Sequence, residues 1–158
     1  MAGLLGIRRI LLADDDKDDI ILFEDVLEEL HLSTHLTTVN NGEQLMQLLN
    51  DEKELLPDIL FLDLNMPRKD GLYCLSQMKN KERLKYIPVI IFSTSYARET
   101  VSLLYKNGAQ YYIRKPNDFA QLKRLIHMAL TLTSQTDISQ PHREKFVLSQ
   151  QYNNDEGK

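Results

Sequence analysis

One cysteine, no tryptophan and no long apolar run: these are the first things this chain of 158 residues does without. A lone cysteine, Cys74, can close no disulfide within the chain, so the apolar core has to hold the fold, and the chain fits a reducing compartment. Cys74 lies in a helical pattern with Leu72, Leu75 and Met78, which reads it as a packing residue. No apolar stretch approaches the roughly 18 residues of a membrane span. Met1 to Gly6 is too short for a signal peptide, and position two is Ala2, so neither export nor a myristoyl anchor is expected. The expected location is cytoplasmic. Positive charge is also scarce: 19 Lys and Arg stand against 23 Asp and Glu, a net charge of −4. That balance excludes bulk electrostatic attraction to nucleic acid or to an anionic membrane. The four histidines (His31, His35, His127, His142) show no metal-ligand spacing, and no internal repeat is present.

What the chain does have is a set of short apolar runs, each ending on a polar residue. Ile10-Leu11-Leu12-Ala13 leads into Asp14-Asp15-Asp16, and Ile59-Leu60-Phe61-Leu62 into Asp63. Val89-Ile90-Ile91-Phe92 leads into Ser93-Thr94, and Tyr111-Tyr112-Ile113-Arg114 into Lys115-Pro116. Continuous apolar runs of this length between turn signals read as strands buried on both faces of a parallel sheet. In such sheets functional groups collect at the carboxyl ends of the strands. Carboxylates, a hydroxyl and an ammonium, distant in sequence, should therefore meet in one pocket. Clustered carboxylates suit a hard divalent cation, typically Mg²⁺, and a hydroxyl and lysine beside it suit a phosphoryl group.

Between the runs the period changes to helical. Ile20, Phe23, Leu27 and Leu30 share one helical face, as do Leu45, Leu48 and Leu49. Asn41 with Gln44 and Asp118 with Gln121 have the spacing of helix caps, and Asn107-Gly108 that of a helix end. The reading is an α/β domain: a five-stranded, doubly wound parallel sheet with helices on both faces, flavodoxin-like. Strands are expected at about 7–13, 36–39, 58–62, 89–92 and 111–114. Helices are expected at about 18–30, after Asn41, at 71–81, from Thr94 or Ser95 to Asn107, and from Asp118 to about Leu132. Residues 1–6 form an N-terminal extension, 7–132 the domain, and 133–158 a polar tail. The tail is expected to be flexible, with Phe146-Val147-Leu148 as a short docking segment.

Four signatures in order (Asp14-Asp15-Asp16, Phe61 through Pro67 with Asp70-Gly71, Pro88 through Thr94, and Arg114-Lys115-Pro116) resemble the response-regulator receiver domains of two-component signalling, the CheY-like family. The likeness covers about Ile7 to Leu132 and is greatest to single-domain members, with a sub-resemblance to stand-alone regulators paired with phytochrome-type histidine kinases. The resemblance implies that Asp63 is the phospho-acceptor. It implies that Asp15 binds Mg²⁺ directly, Asp14 through a metal-bound water, and Asn65 through its backbone carbonyl. Ser93 matches the switch hydroxyl, Lys115 the lysine that pairs with the phosphoryl group, and Tyr112 the aromatic that turns inward on activation. A cis Lys115–Pro116 bond is expected on the same ground. Asp16, Asp18, Asp19 and Thr94 receive no catalytic role, the acids being read as capping or solvated charges.

The implied activity is acceptance of a phosphoryl group from the phosphohistidine of a histidine kinase or histidine phosphotransferase. The chain would catalyse only its own phosphorylation and dephosphorylation, and is not expected to be a turnover enzyme. The partner or dimer interface would be the face of helix four, strand five and helix five, where Val101, Tyr105 and Tyr111 would form an apolar patch and a homodimer could form. Neither direct nucleic-acid binding nor membrane contact is expected. Two alternatives compete. A phosphorylation-independent receiver-like interaction domain would usually lack the acceptor aspartate or the lysine, and both are here. A metal-dependent phosphohydrolase of the haloacid dehalogenase type would carry a second aspartate two residues after the nucleophile, where this chain has Asn65.

Overall fold

The computed structural model describes residues 6–135 and 139–149. Six parallel strands form one sheet: β1 (Arg9–Ala13), β2 (His35–Val39), β3 (Ile59–Leu62), β4 (Val89–Ser93), β5 (Tyr111–Arg114) and β6 (Val147–Leu148), in the order β2-β1-β3-β4-β5-β6. Five helices connect them: α1 (Lys17–Leu30), α2 (Gly42–Asn50), α3 (Gly71–Lys79), α4 (Arg98–Lys106) and α5 (Phe119–Thr133).

The pleat explains why the strands read as unbroken apolar runs. Leu11, Ala13, Leu60, Leu62, Val89 and Ile91 point into a core closed by residues of α2, α3 and α4. Ile10, Leu12, Ile59, Phe61, Ile90 and Phe92 point the other way, into a core closed by α1 and α5. Successive residues thus serve opposite cores, and every position must be apolar. On the α1/α5 side Phe23, Phe61 and Phe92 meet edge to face, with centroids 4.9, 5.7 and 6.3 Å apart.

Caps set the helix starts. The Asp16 carboxylate accepts from the amides of Asp18 and Asp19, Asn41 from that of Gln44, and Asp118 from that of Gln121. α4 begins at Arg98, later than the expected Thr94 or Ser95, because Ser95 is engaged elsewhere. Its amide donates to Ser93 Oγ at 3.1 Å, its Oγ accepts from Asn65 Nδ2 at 2.9 Å, and its carbonyl accepts from the Tyr112 hydroxyl. A residue held by three such bonds in a loop cannot also cap a helix. The α4 N-cap is instead Ala97, with no side-chain bond.

The sixth strand departs from the expected five. It comes from the segment read as tail, and the apolar trio Phe146-Val147-Leu148 is what docks. Phe146 is fully buried, its ring 5.1 Å from that of Tyr105 and 6.2 Å from that of Tyr112. The Tyr112 amide donates to the Phe146 carbonyl at 3.0 Å, as β-pairing requires. Upstream, the Tyr105 hydroxyl donates to Pro141 O at 2.7 Å, and Gln140 Nε2 donates to the carbonyls of Tyr105 and Ala109. The strand edge of β5 is therefore covered by the chain itself. Val101, Tyr105 and Tyr111 do not form the exposed patch expected of them: Val101 is buried in the core, and the two tyrosines are half-buried.

The loop after β3 is clamped by glycines. Arg68 and Lys69 both take left-handed φ, +52° and +76°, which costs a non-glycine residue on the order of 1–2 kcal/mol. The loop is held because Gly42 lets it approach α2: a Cβ at Gly42 would lie 1.9 Å from Lys69 O. Gly71 does the same at the acceptor strand, where a Cβ would lie 2.6 Å from Asp63 O. Among the described residues no helix is long and apolar enough to cross a membrane.

Candidate functional site

In this strand order the chain reverses direction of winding between β1 and β3, and the crevice above their carboxyl ends is the place such a sheet offers to a ligand. β1 delivers Asp14 and Asp15 there, β3 delivers Asp63, β4 delivers Ser93, and β5 delivers Lys115. The strand ends are held in register by backbone bonds. The amide of Asp63 donates to Ala13 O at 2.9 Å, that of Asp14 to Val39 O at 3.0 Å, and that of Lys115 to Ser93 O at 2.9 Å.

The result is a compact charge cluster. Carboxylate oxygens of Asp14, Asp15 and Asp63 lie within 4.8 Å of one another. Asp14 is fully buried and Asp63 nearly so, while Asp15 is exposed at the mouth. Lys115 Nζ lies 2.7 Å from Asp14 Oδ2 and 3.9 Å from Asp63 Oδ2. It also sits 5.0 Å from the centroid of the Phe92 ring. Burial pushes the Asp14 carboxyl up to about 6, even against its hydrogen bond from Lys115. Burial likewise raises Asp63, outweighing the attraction of Lys115, and the charge of Asp15 adds to it. Burial pulls the Lys115 ammonium down, but its bonds to Asp14 and Asp19 more than offset this, and its pKa is raised.

Three converging carboxylates with one ammonium at their inner edge are short of positive charge. All their open donors are hard oxygens, the set that Mg²⁺ or Mn²⁺ prefers. The residues therefore fit a divalent cation, with Asp15 at the open side. The other expected site residues sit around this cluster. Ser93 is buried at the end of β4, and Asn65 follows Asp63 with its amide 3.4 Å from Asp63 Oδ1 and its side chain on Ser95. Tyr112 lies inside, not swung outward: it is fully buried, and its hydroxyl is bound to the Ser95 carbonyl. Among the described residues no peptide bond is cis, so Lys115–Pro116 corrects the expected cis form. The lysine needs no sharp turn, because sheet pairing to Ser93 already aims its side chain at the carboxylates.

Two residues do more than the sequence indicated. Asp19 accepts from Lys115 Nζ at 2.8 Å and is no free surface charge. Ser95 ties the loops after β3 and β4 to Tyr112. Cys74, by contrast, behaves as expected: it is buried among core residues, and burial pushes its thiol up to about 11, which leaves it inert at neutral pH.

Known proteins resemble this chain in sequence and fold. Residues 10–127 match the family model described as the response regulator receiver domain. Rcp1, a response regulator of Synechocystis sp., is 31% identical over 121 residues, which is 74% of this chain and 82% of Rcp1. The protein named Probable C4-dicarboxylate response regulator DctR, of Bacillus subtilis, is 33% identical over 118 residues, and the match spans 75% of this chain but half of DctR. Among solved structures, the phosphorylated cyanobacterial phytochrome response regulator RcpA superposes with a TM-score of 0.77 at 30% identity, covering 83% of this chain and 96% of RcpA. The Mn(2+)-bound form of Rcp1 gives 0.75 at 28% identity, covering 85% and 99%. Family match and fold agree with the geometry of the strand ends, and the chain belongs to the response regulator receiver domain family.

Proposed function

We propose that this chain is a two-component response regulator that takes a phosphoryl group from the phosphohistidine of a histidine kinase or histidine phosphotransferase onto Asp63. The observation that carries the reading is the meeting of Asp14, Asp15 and Asp63 within 4.8 Å, with Lys115 Nζ 3.9 Å from Asp63 Oδ2. An Asp63 oxygen attacks phosphorus and becomes an acyl phosphate, the phosphorus–nitrogen bond of the donor breaks with its electron pair staying on nitrogen, and that nitrogen takes a proton from solvent as neutral imidazole leaves. A carboxylate is repelled by a phosphoryl dianion, so the site has to supply positive charge. Lys115 supplies a fixed point charge, and Ser93 a hydroxyl that can donate to a phosphoryl oxygen. A Mg²⁺ ion held by Asp15 and Asp63, with Asp14 through water and the Asn65 carbonyl, would add the charge that lets the two anions approach. Two structural relatives support this reading: RcpA was solved phosphorylated and Rcp1 in a Mn(2+)-bound form. In this reading the chain works in the cytoplasm and catalyses only its own modification.

The transfer is tested with a histidine kinase fragment labelled on its histidine with radioactive phosphate. Wild-type chain should take the label, and Asp63→Asn should not; label on the Asp63→Asn protein would refute the acceptor.

Metal binding should depend on pH in a defined direction. Asp14 titrates near 3.8 when unfolded and near 6 when folded. Its contribution to stability is therefore complete below about pH 4 and lost as the pH rises through about 6. A divalent cation requires the charged form, so protons and metal compete. Millimolar Mg²⁺ should raise the melting temperature little at pH 5 and substantially at pH 8. An equal shift at both values would contradict a site that includes Asp14.

The output would run through Ser95. Ser93 Oγ accepts from the Ser95 amide, and Ser95 holds Asn65 and Tyr112. A Ser93 hydroxyl drawn toward a phosphoryl oxygen pulls on this hub, and Tyr112 passes the strain to Phe146. A partner or a second copy using the α4, β5 and α5 face would meet the 139–149 segment or displace it. Beryllofluoride, a phosphoryl mimic, with Mg²⁺ should therefore perturb the amide signals of Ser95, Tyr112 and Phe146 as well as Asp63. Changes confined to Asp63 and its immediate loop would exclude this route.

A further inference from the structure

Lys115 is shared unevenly. Its ammonium is within hydrogen-bond reach of Asp14 at 2.7 Å and of Asp19 at 2.8 Å, but stands 3.9 Å from the acceptor Asp63. The two near carboxylates pull from the β1 and α1 side. Asp19 occupies the first turn of α1, third after the Asp16 cap, where the aligned amides of the helix end favour a negative charge. It is about one-quarter exposed, so its charge is partly shielded from water.

We propose that Asp19 is a positioning residue for the phosphorylation reaction: it parks the Lys115 ammonium on the α1 side, keeping Asp63 clear of a direct lysine bond. This rests on the reading of Asp63 as acceptor and of the three-carboxylate cluster as a divalent-cation site. Without Asp19, the ammonium loses one of its two short partners. Asp14 stays at 2.7 Å, and the next carboxylate is Asp63, 3.9 Å away and just beyond hydrogen-bond range. A lysine that closes on Asp63 engages one of the two oxygens that Asp63 has for holding the metal and attacking phosphorus. It would then act as an internal competitor for the cation. With Asp19 present the lysine remains close enough to reach an incoming phosphoryl group, which lies beyond the Asp63 oxygen, without shielding the nucleophile beforehand.

The test is a double-mutant cycle on metal affinity, read with Mn²⁺ by electron paramagnetic resonance on the full chain. In the wild-type background Asp19→Asn should weaken Mn²⁺ binding by about tenfold, the scale of one charge-assisted hydrogen bond redirected onto Asp63. Asp19→Glu, which keeps the charge within reach of the lysine, should stay within about twofold of wild type on that scale. In a Lys115→Met background there is no ammonium to release, and Asp19→Asn should cost distinctly less. Equal fold-losses in both backgrounds would overturn the proposal, since the carboxylate would then act through its own charge alone. No loss in the wild-type background would overturn it also. Metal-free melting curves of all variants exclude a simple folding defect, and Asp19→Ser provides a second uncharged variant should Asp19→Asn prove unstable. Failure of the wild-type chain itself to bind Mn²⁺ would bring down the underlying metal-site reading, a result distinct from an additive cycle on a chain that does bind.

Discussion

Replacing Phe146 with alanine is expected to lower the stability of the chain by about 3–5 kcal/mol, the usual cost of emptying a buried aromatic site. That is a large fraction of the 5–15 kcal/mol that holds a typical domain together. The expectation rests on where the ring sits. Phe146 is fully buried, packs edge to face on Tyr105 and Tyr112, and belongs to the same core as Leu60, Ile91 and Leu104. The family match ends at residue 127, so a description limited to it would treat this side chain as dispensable. Urea unfolding followed by far-ultraviolet circular dichroism measures the effect, since the chain has no tryptophan to report by fluorescence. A loss under about 1 kcal/mol would mean that the 139–149 segment contributes little to the core. Because Phe146 lies against Tyr112, the same substitution should also weaken the response of the Tyr112 amide to beryllofluoride.

The second large effect concerns Lys115. It is nearly buried and is the ammonium that faces Asp14, Asp19 and Asp63. Lys115→Met leaves two buried carboxylates and a half-buried one without a counter-charge, and removing one partner of such a pair costs about 3–5 kcal/mol. The carboxyls can relieve part of this by keeping their protons, so the loss should be greatest above pH 7 and smaller near pH 5. Mg²⁺ should restore much of it, because the cation supplies the missing charge to the same oxygens. Phosphoryl transfer to Asp63 should nevertheless fall by about 10²–10³-fold even at saturating Mg²⁺, the size of effect seen when one charge-stabilising donor is removed from a transition state. Thermal melting at the two pH values with and without Mg²⁺ checks the first part, and the rate of label uptake the second. A variant as stable as wild type without metal at pH 8 would show that the carboxylates do not depend on the lysine.

Much of this site could be read from the chain because its parts are local. An apolar run followed by an acid or a lysine declares a strand end, and in a parallel sheet strand ends converge whatever their separation in sequence. Asp14, Asp15, Asp63 and Lys115 were placed in this way, and the structure brings their charged groups together. What escaped depends on relations between elements. Asp19 lies on the first turn of a helix whose acids all look like dipole-complementing charges, and only the docked position of α1 shows which of them meets Lys115. Asp16, nearby, takes the first of the two roles, capping or solvated charge, that the sequence offers for these acids. Ser95 has good cap chemistry, and nothing local reveals that Asn65 and Tyr112 hold it first. The trio Phe146-Val147-Leu148 was visible as the only apolar segment of a polar stretch. Its pairing beside β5 depends on an edge that exists only once the other five strands are assembled. The bond before Pro116 was misjudged for the same reason, since sheet register had already settled the direction of Lys115.

The strand-end cluster itself should move a phosphoryl group onto Asp63, and this is measured without any kinase. The full chain is incubated with acetyl phosphate, with Mg²⁺ or with EDTA, followed by intact mass, and the modified residue is then located by borohydride reduction and peptide mapping. A single phosphoryl addition is expected, one that appears with Mg²⁺, is absent with EDTA, maps to Asp63 and is lost in Asp63→Asn. Addition that persists at the wild-type rate in Asp63→Asn, or that proceeds equally well in EDTA, would contradict it.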